Sequence, residues 1–131
     1  MPDNADYEQL SKRLLVSAQK GNAQAQYHLG VLYNDGREVP KDYEQTASWY
    51  LKTVQQGHPK AQLYLALLYL NSRGVARDYT QAVQWFTKSE KQGEQKAQYY
   101  LGVLYHNGLG VERDDDTAAE CLDKAAEQEH F

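Results

Sequence analysis

The sequence predicts an all-α protein, a right-handed α-solenoid of seven helices stacked as antiparallel pairs. Three observations predict it. The phrase AQYHLGVLYNDG at 25–36 returns 72 residues later as AQYYLGVLYHNG at 97–108, and a looser copy, AQLYLALLYLNS, lies halfway at 61–72, so the period is 36 residues. That period holds without drift at Gly21, Gly57 and Gly93, at Val39, Val75 and Val111, and at Leu29, Leu65 and Leu101. A fixed period of this order marks stacked supersecondary repeats. Inside it, apolar residues recur at the three-and-four spacing of one helical face.

The first element is a lone helix over 4–20. DYEQ at Asp6 stands 36 residues before DYEQ at Asp42, so this segment is the second helix of a repeat whose first helix is missing. Three full hairpins follow, 21–56, 57–92 and 93–128. In the first, helix A runs from Ala23 to Asn34 and sets Ala25, Leu29, Leu32 and Tyr33 on one face. Gly30 and Gly102, with Ala66 in the middle copy, put almost no side chain on the packing side and invite a close neighbour. A connection rich in Gly and Asn stops the helix. Asp42 or Asp78 then caps helix B, with Gln45 or Gln81 placed for a reciprocal capping box. Helix B carries Trp49, Tyr50 and Val54, or Trp85 and Phe86, and closes at Gly57 or Gly93.

At the ends the pattern decays. The tryptophan slot holds Arg13 at the start and Cys121 at the end, and the closing glycine slot holds Glu129. A terminal helix lacks a neighbour on one side, so polar or small residues there act as caps. The tyrosines are largely architectural, since Tyr33, Tyr69 and Tyr105 share one slot and Tyr7, Tyr43 and Tyr79 another.

Net charge is −4, and residues 112–131 hold eight acidic and two basic side chains, so the C-terminal end is an acidic cap. No basic stripe tracks phosphates, which argues against nucleic-acid binding. A single cysteine excludes an intrachain disulfide framework. The N-terminus is polar, without an apolar stretch for a signal peptide or membrane insertion, so the chain reads as cytoplasmic, or as periplasmic or secreted if an export signal has been removed.

With these residues placed, A-x-x-x-L-G-x-x-Y, the glycine loop with its valine, the following aspartate, the aromatic pair on helix B and the closing glycine resemble the Sel-one-like repeat (SLR), from about Asp6 to Ala126. That family is similar in fold to the tetratricopeptide repeats. Ala66, Ser72 and Glu38 depart from its glycines. The resemblance implies an interaction scaffold: such proteins bring other proteins together in signalling, membrane-associated quality control, and bacterial host-interaction or secretion systems. Some small bacterial members are similar to immunity proteins that silence a toxin. A cysteine-rich branch with a disulfide in each repeat is linked to penicillin binding, and the absence of paired cysteines argues against it here.

Residues that could carry chemistry read as structural. His28, His58, His106 and His130 form no ligand pair, which points to no metal. Cys121 occupies a packing slot with no matched histidine and acid. Asp114, Asp115 and Asp116 stand at a helix start, where carboxylates meet exposed amides, and lack the pattern of a calcium loop. GLGV at Gly108 lacks the strand and the Lys-Ser pair of a phosphate loop. No cofactor is expected.

The face of helix A opposite Leu29 is the candidate site. It presents Gln24, Tyr27, Val31, Asn34 and Asp35, then Lys60, Leu63, Leu67, Leu70 and Asn71, then Lys96, Tyr99, Val103, His106 and Asn107. In stacked hairpins these sets form one continuous concave groove, more apolar than a solvated wall, unless stacking buries its leucines and valines. The expected function is a non-enzymatic adaptor holding a protein or peptide segment in that groove, as a monomer or weak homodimer. Two alternatives stay open: an immunity-type inhibitor whose acidic cap blocks a basic site, and a peptidoglycan or β-lactam hydrolase.

Overall fold

The structure is a computed structural model and describes residues 4–36 and 39–129. Among them are seven helices: α1 (Asn4–Gln19), α2 (Ala23–Asp35), α3 (Tyr43–Val54), α4 (Pro59–Asn71), α5 (Tyr79–Lys91), α6 (Gln95–Asn107) and α7 (Asp115–Glu129). The A helices are α2, α4 and α6. Each packs most extensively on the B helix that follows it, as α2 on α3, α4 on α5 and α6 on α7, and the hairpins join through α1 on α2, α3 on α4 and α5 on α6. Glu38 and His130 lie outside the described residues.

Capping explains where the helices start. Asp42 Oδ1 accepts from Gln45 N at 3.2 Å, Asp78 Oδ1 from Gln81 N at 3.1 Å and Asp114 Oδ1 from Thr117 N at 3.0 Å. Each satisfies one of the amides that a helix N-terminus leaves open. The expected other half of the capping box is replaced. The backbone N–H of Asp42 donates to Tyr33 O at 3.0 Å, that of Asp78 to Tyr69 O at 3.2 Å and that of Asp114 to Tyr105 O at 3.0 Å. Committed to helix A, that N–H is not available to a glutamine side chain, and the loop is fastened to its own hairpin. At the lone helix, α1 begins at Asn4, two residues before Asp6.

Helix A stops in a left-handed residue, Gly36, Ser72 or Gly108. Ser72 (φ 57°) adopts without glycine a conformation that normally favours it. The loop glycines further on have a tighter reason. A Cβ on Gly74 (φ 75°) would strike the carbonyl oxygen of Tyr43, and one on Gly110 (φ 74°) that of Tyr79. Each loop thus lies against the first turn of the preceding B helix, so one glycine serves both chain reversal and repeat stacking.

The core forms along the stack. Phe86, Leu63, Leu101 and Leu104 centre one cluster, Tyr50, Val54, Leu65 and Leu68 a second, and Leu29 with Trp49 a third. Burying one such side chain contributes about 1.5–3 kcal/mol, so the interfaces between hairpins hold the array together.

A ladder of buried polar groups runs beside this core. Gln26, Gln62 and Gln98 are buried on the A helices. Gln26 Nε2 donates to Ala18 O at 3.0 Å, and Gln26 Oε1 accepts from Gln56 Nε2 at 3.0 Å; one amide therefore ties α2 to α1 and to the turn that follows α3. In the next repeat Gln92 Nε2 donates to Gln62 Oε1 at 2.8 Å. Thr53 Oγ1 donates to Ala23 O and Ser89 Oγ to Pro59 O, both at 2.9 Å, so the ends of α3 and α5 are pinned to the starts of α2 and α4. Buried polar groups are tolerated when paired in this way.

Candidate binding cleft

Residues of the predicted face meet in one place. A cavity of about 420 Å³ opens between the first two A helices. From α2 it takes Tyr27, Val31, Asn34 and Asp35, and from α4 Tyr64, Leu67, Leu68 and Asn71. Tyr50 reaches in from α3, and Arg73 stands in the loop after α4. Its volume suits a side chain or a short peptide segment.

The cleft is built on rings. Tyr27, Tyr50 and Tyr64 lie nearly parallel, with interplanar angles of 22–27° and centroids 5.8–6.3 Å apart. Gly30 makes this possible, because a Cβ there would sit 2.6 Å from Cδ1 of Tyr50. Without that side chain the Tyr50 ring packs directly on α2 and forms the wall between the two A helices. Burial pushes the Tyr27 hydroxyl up to about 12, with smaller contributions from Tyr64, Glu94 and Asp35. The Tyr50 hydroxyl is likewise pushed up, by burial first and then by Tyr27, Tyr64 and Asp35. Both are neutral hydrogen-bonding groups at physiological pH.

His58 backs the Tyr27 ring. Its ring stacks on Tyr27 with centroids 4.5 Å apart. Its Nδ1 accepts from Ala61 N at 3.1 Å, which makes it the N-cap of α4, and Nε2 lies 2.9 Å from Gln24 Oε1. Nε2 therefore carries the proton and donates. Burial, followed by the nearby His28 and Lys60, depresses the His58 pKa and keeps the ring neutral.

The rest of the predicted face is distributed differently, and the continuous groove is corrected. Leu63 is 1% exposed and belongs to the core. It shares a register slot with Tyr27 and Tyr99, and that slot faces the following repeat. Tyr27 is accordingly covered by His58 and Tyr64, Leu63 is sealed by α5 and α6, and Tyr99, on the last A helix described, is 51% exposed. Leu70 is half-buried against the same cluster as Leu63, and Leu67 belongs both to that cluster and to the cleft. Lys60 and Lys96 are exposed, and Val103 is half-buried. His106 pairs with Asp115 at 3.0 Å, and Asn107 Nδ2 donates to Val103 O at 2.9 Å.

The candidates for chemistry are occupied structurally. Asp114 caps α7, with Thr117 Oγ1 donating to Oδ2 at 2.7 Å, and bonds from Thr117 hold its carboxyl below the usual range. Asp115 is held low by hydrogen bonds from Arg113 and then His106. Burial and then Glu90 push the Cys121 thiol up, so it stays protonated and a poor nucleophile. Among the described residues no three His, Cys, Asp or Glu gather as a metal site, and no helix is long and apolar enough to cross a membrane.

Tyr50, Tyr64 and Arg73 were not on the predicted face. In the sequence Tyr50 reads only as one of the aromatic pair on helix B; it is 3% exposed, and its ring also bounds the cleft. The signal for the buried glutamines is the period itself, since Gln26, Gln62 and Gln98 recur at 36 residues, each directly after the alanine that opens the repeated phrase.

Stacked helical hairpins with a ring-lined cleft between adjacent A helices define a helical-repeat protein of the tetratricopeptide-like class. The Sel1 repeat matches three times in succession, at residues 23–58, 59–94 and 95–130, and the chain belongs to the Sel1 repeat family. Among solved structures it is similar to c5321, a protective antigen of uropathogenic Escherichia coli displaying an SLR fold (40% identity, TM-score 0.84), covering 90% of this chain and 25% of that one. It is also similar to a Sel1 repeat protein from Oxalobacter formigenes (30% identity, TM-score 0.86), covering 90% of this chain and 47% of that one. The chain thus spans a quarter to a half of the length of these relatives. Helicobacter pylori cysteine rich protein B shares the fold at 19% identity (TM-score 0.69, 91% of this chain and 90% of that one). No curated protein matches significantly.

Proposed function

We propose that the protein is a non-enzymatic adaptor that holds a segment of a partner protein in the cleft between α2 and α4. The observation that carries this reading is the cavity of about 420 Å³ in which tyrosine rings form the wall while Asn34 and Asn71 stand on opposite A helices. Rings supply apolar area at low entropic cost, and paired amides are suited to hydrogen-bonding an extended backbone. The protonated Cys121 thiol supports a binding role over covalent catalysis. A groove triple mutant that included Leu63 would damage the core, so the informative variants are Val31→Asp and the pair Asn34→Ala with Asn71→Ala. Peptides selected from a displayed random library against the wild type are expected to lose binding to both variants, with urea midpoints unchanged. Undiminished binding to correctly folded variants would overturn the assignment.

A further inference from the structure

We infer that the cleft is selective for a cationic side chain, so that the segment it holds presents an arginine or lysine to the tyrosine wall beside Asp35. The inference rests on the cleft reading above and names the chemistry of the occupant. Three independent features have the same sign. Asp35 lines the cavity and is exposed, and among the described residues its carboxylate receives one side-chain contact, 3.4 Å from Asn34 Nδ2 to Oδ1. Both A helices that form the cleft end there, α2 at Asp35 and α4 at Asn71, and a helix C-terminus carries a partial negative charge. The third feature is the near-parallel Tyr27, Tyr50 and Tyr64 rings, whose faces attract cations.

Among the described residues Arg73 is the one lining residue of opposite sign, and its guanidinium packs on another ring. Its guanidinium carbon lies 5.2 Å from the centroid of the Tyr43 ring.

A guanidinium in the cleft would lie over a tyrosine face while donating to Asp35, as planar donor groups do with carboxylates. The Asn34 and Asn71 amides would then hold the backbone on either side of that residue.

The test uses the whole chain and three small probes: N-acetyl-arginine methylamide, the citrulline amide of the same shape without charge, and the glutamate amide. Tyrosine ring resonances are followed by NMR during titration. Saturable shifts at Tyr27 and Tyr64 are expected with the arginine probe, at an affinity about fivefold or more above citrulline. Asp35→Asn should reduce that ratio towards one, while Arg73→Gln should preserve or increase it. Equal binding of arginine and citrulline, tighter binding of glutamate, a preference untouched by Asp35→Asn, or no saturable shift at tens of millimolar would each overturn the inference. If selected peptides lacking any basic residue still depend on Asn34 and Asn71, the adaptor reading stands and the cationic selectivity falls.

Discussion

Replacing Gln26 by alanine separates the contribution of the buried amide ladder from that of the apolar core. Gln26 is 5% exposed, accepts from Gln56 Nε2 and donates to the carbonyl of Ala18, which is itself on a 2% exposed residue. Truncation removes one buried methylene, worth about 0.8 kcal/mol, together with the amide. It also strands the Ala18 carbonyl and frees the Gln56 amide, of which the buried carbonyl alone costs about 1–3 kcal/mol. The expected loss is about 3 kcal/mol. Gln56→Ala starts from a more exposed side chain and should cost about 1 kcal/mol, chiefly through the acceptor left on Gln26.

The assay is equilibrium urea unfolding of the two single variants and the double variant. A coupling of about 1 kcal/mol is expected between positions joined by a 3.0 Å bond from α2 to the turn after α3. Additive losses, or a Gln26→Ala cost of no more than about 1 kcal/mol, would show the ladder to be incidental to stability.

Two further predictions concern the cleft. Gly30→Ala gains about 1 kcal/mol of helix propensity but places a methyl 2.6 Å from Cδ1 of the buried Tyr50 ring; displacing that ring costs about 1–3 kcal/mol, so the variant should be no more stable than the wild type by urea midpoint and should lose probe binding. A gain in stability with binding retained would contradict the geometry. Protonating His58 removes the Nδ1 acceptor that caps α4 and sets a cation at a helix N-terminus. Its folded pKa lies below the unfolded value of 6.5, so the unfolded chain binds more protons between the two values. This contribution is complete above the unfolded pKa and is lost as pH falls from there through the folded pKa. Urea midpoints at stepped pH should show a decline below neutrality that His58→Asn, which keeps a capping acceptor, reduces; an identical profile would remove His58 as its source.

The period made the fold legible. Each hairpin could be read from residues that repeat, because a stacking contact recurs with every unit, and the Gly30, Leu29 and Tyr33 slots each appear three times. Exposure was harder to read, because a helix-face argument treats one register slot as one environment. Leu63 shows the failure. It occupies the Tyr27 and Tyr99 slot, and it alone is sealed by α5 and α6. The role of the glutamines is not legible in the sequence for a related reason: each amide finds a partner only after the neighbouring helices are in place.

The cleft arises where one junction departs from the pattern of the next. At the second junction the slots of Tyr27, Gly30 and Tyr50 hold Leu63, Ala66 and Phe86, all buried in a single cluster, with Phe86 stacked on Tyr100 at 5.1 Å. These residues have no hydroxyl to satisfy and fill the space between α4 and α6. At the first junction the equivalent rings carry polar ends, and Gly30 lets Tyr50 sit against α2, so the same backbone geometry leaves an opening rimmed by Asp35 and Asn71. Repetition therefore supplies a scaffold that can close at each junction, and recognition belongs to the junction whose substitutions keep it open. Converting Tyr27 and Tyr50 together to leucine and phenylalanine, with Gly30→Ala, tests this directly: the triple variant should remain folded and lose the arginine probe, whereas retained binding would locate recognition elsewhere on the array.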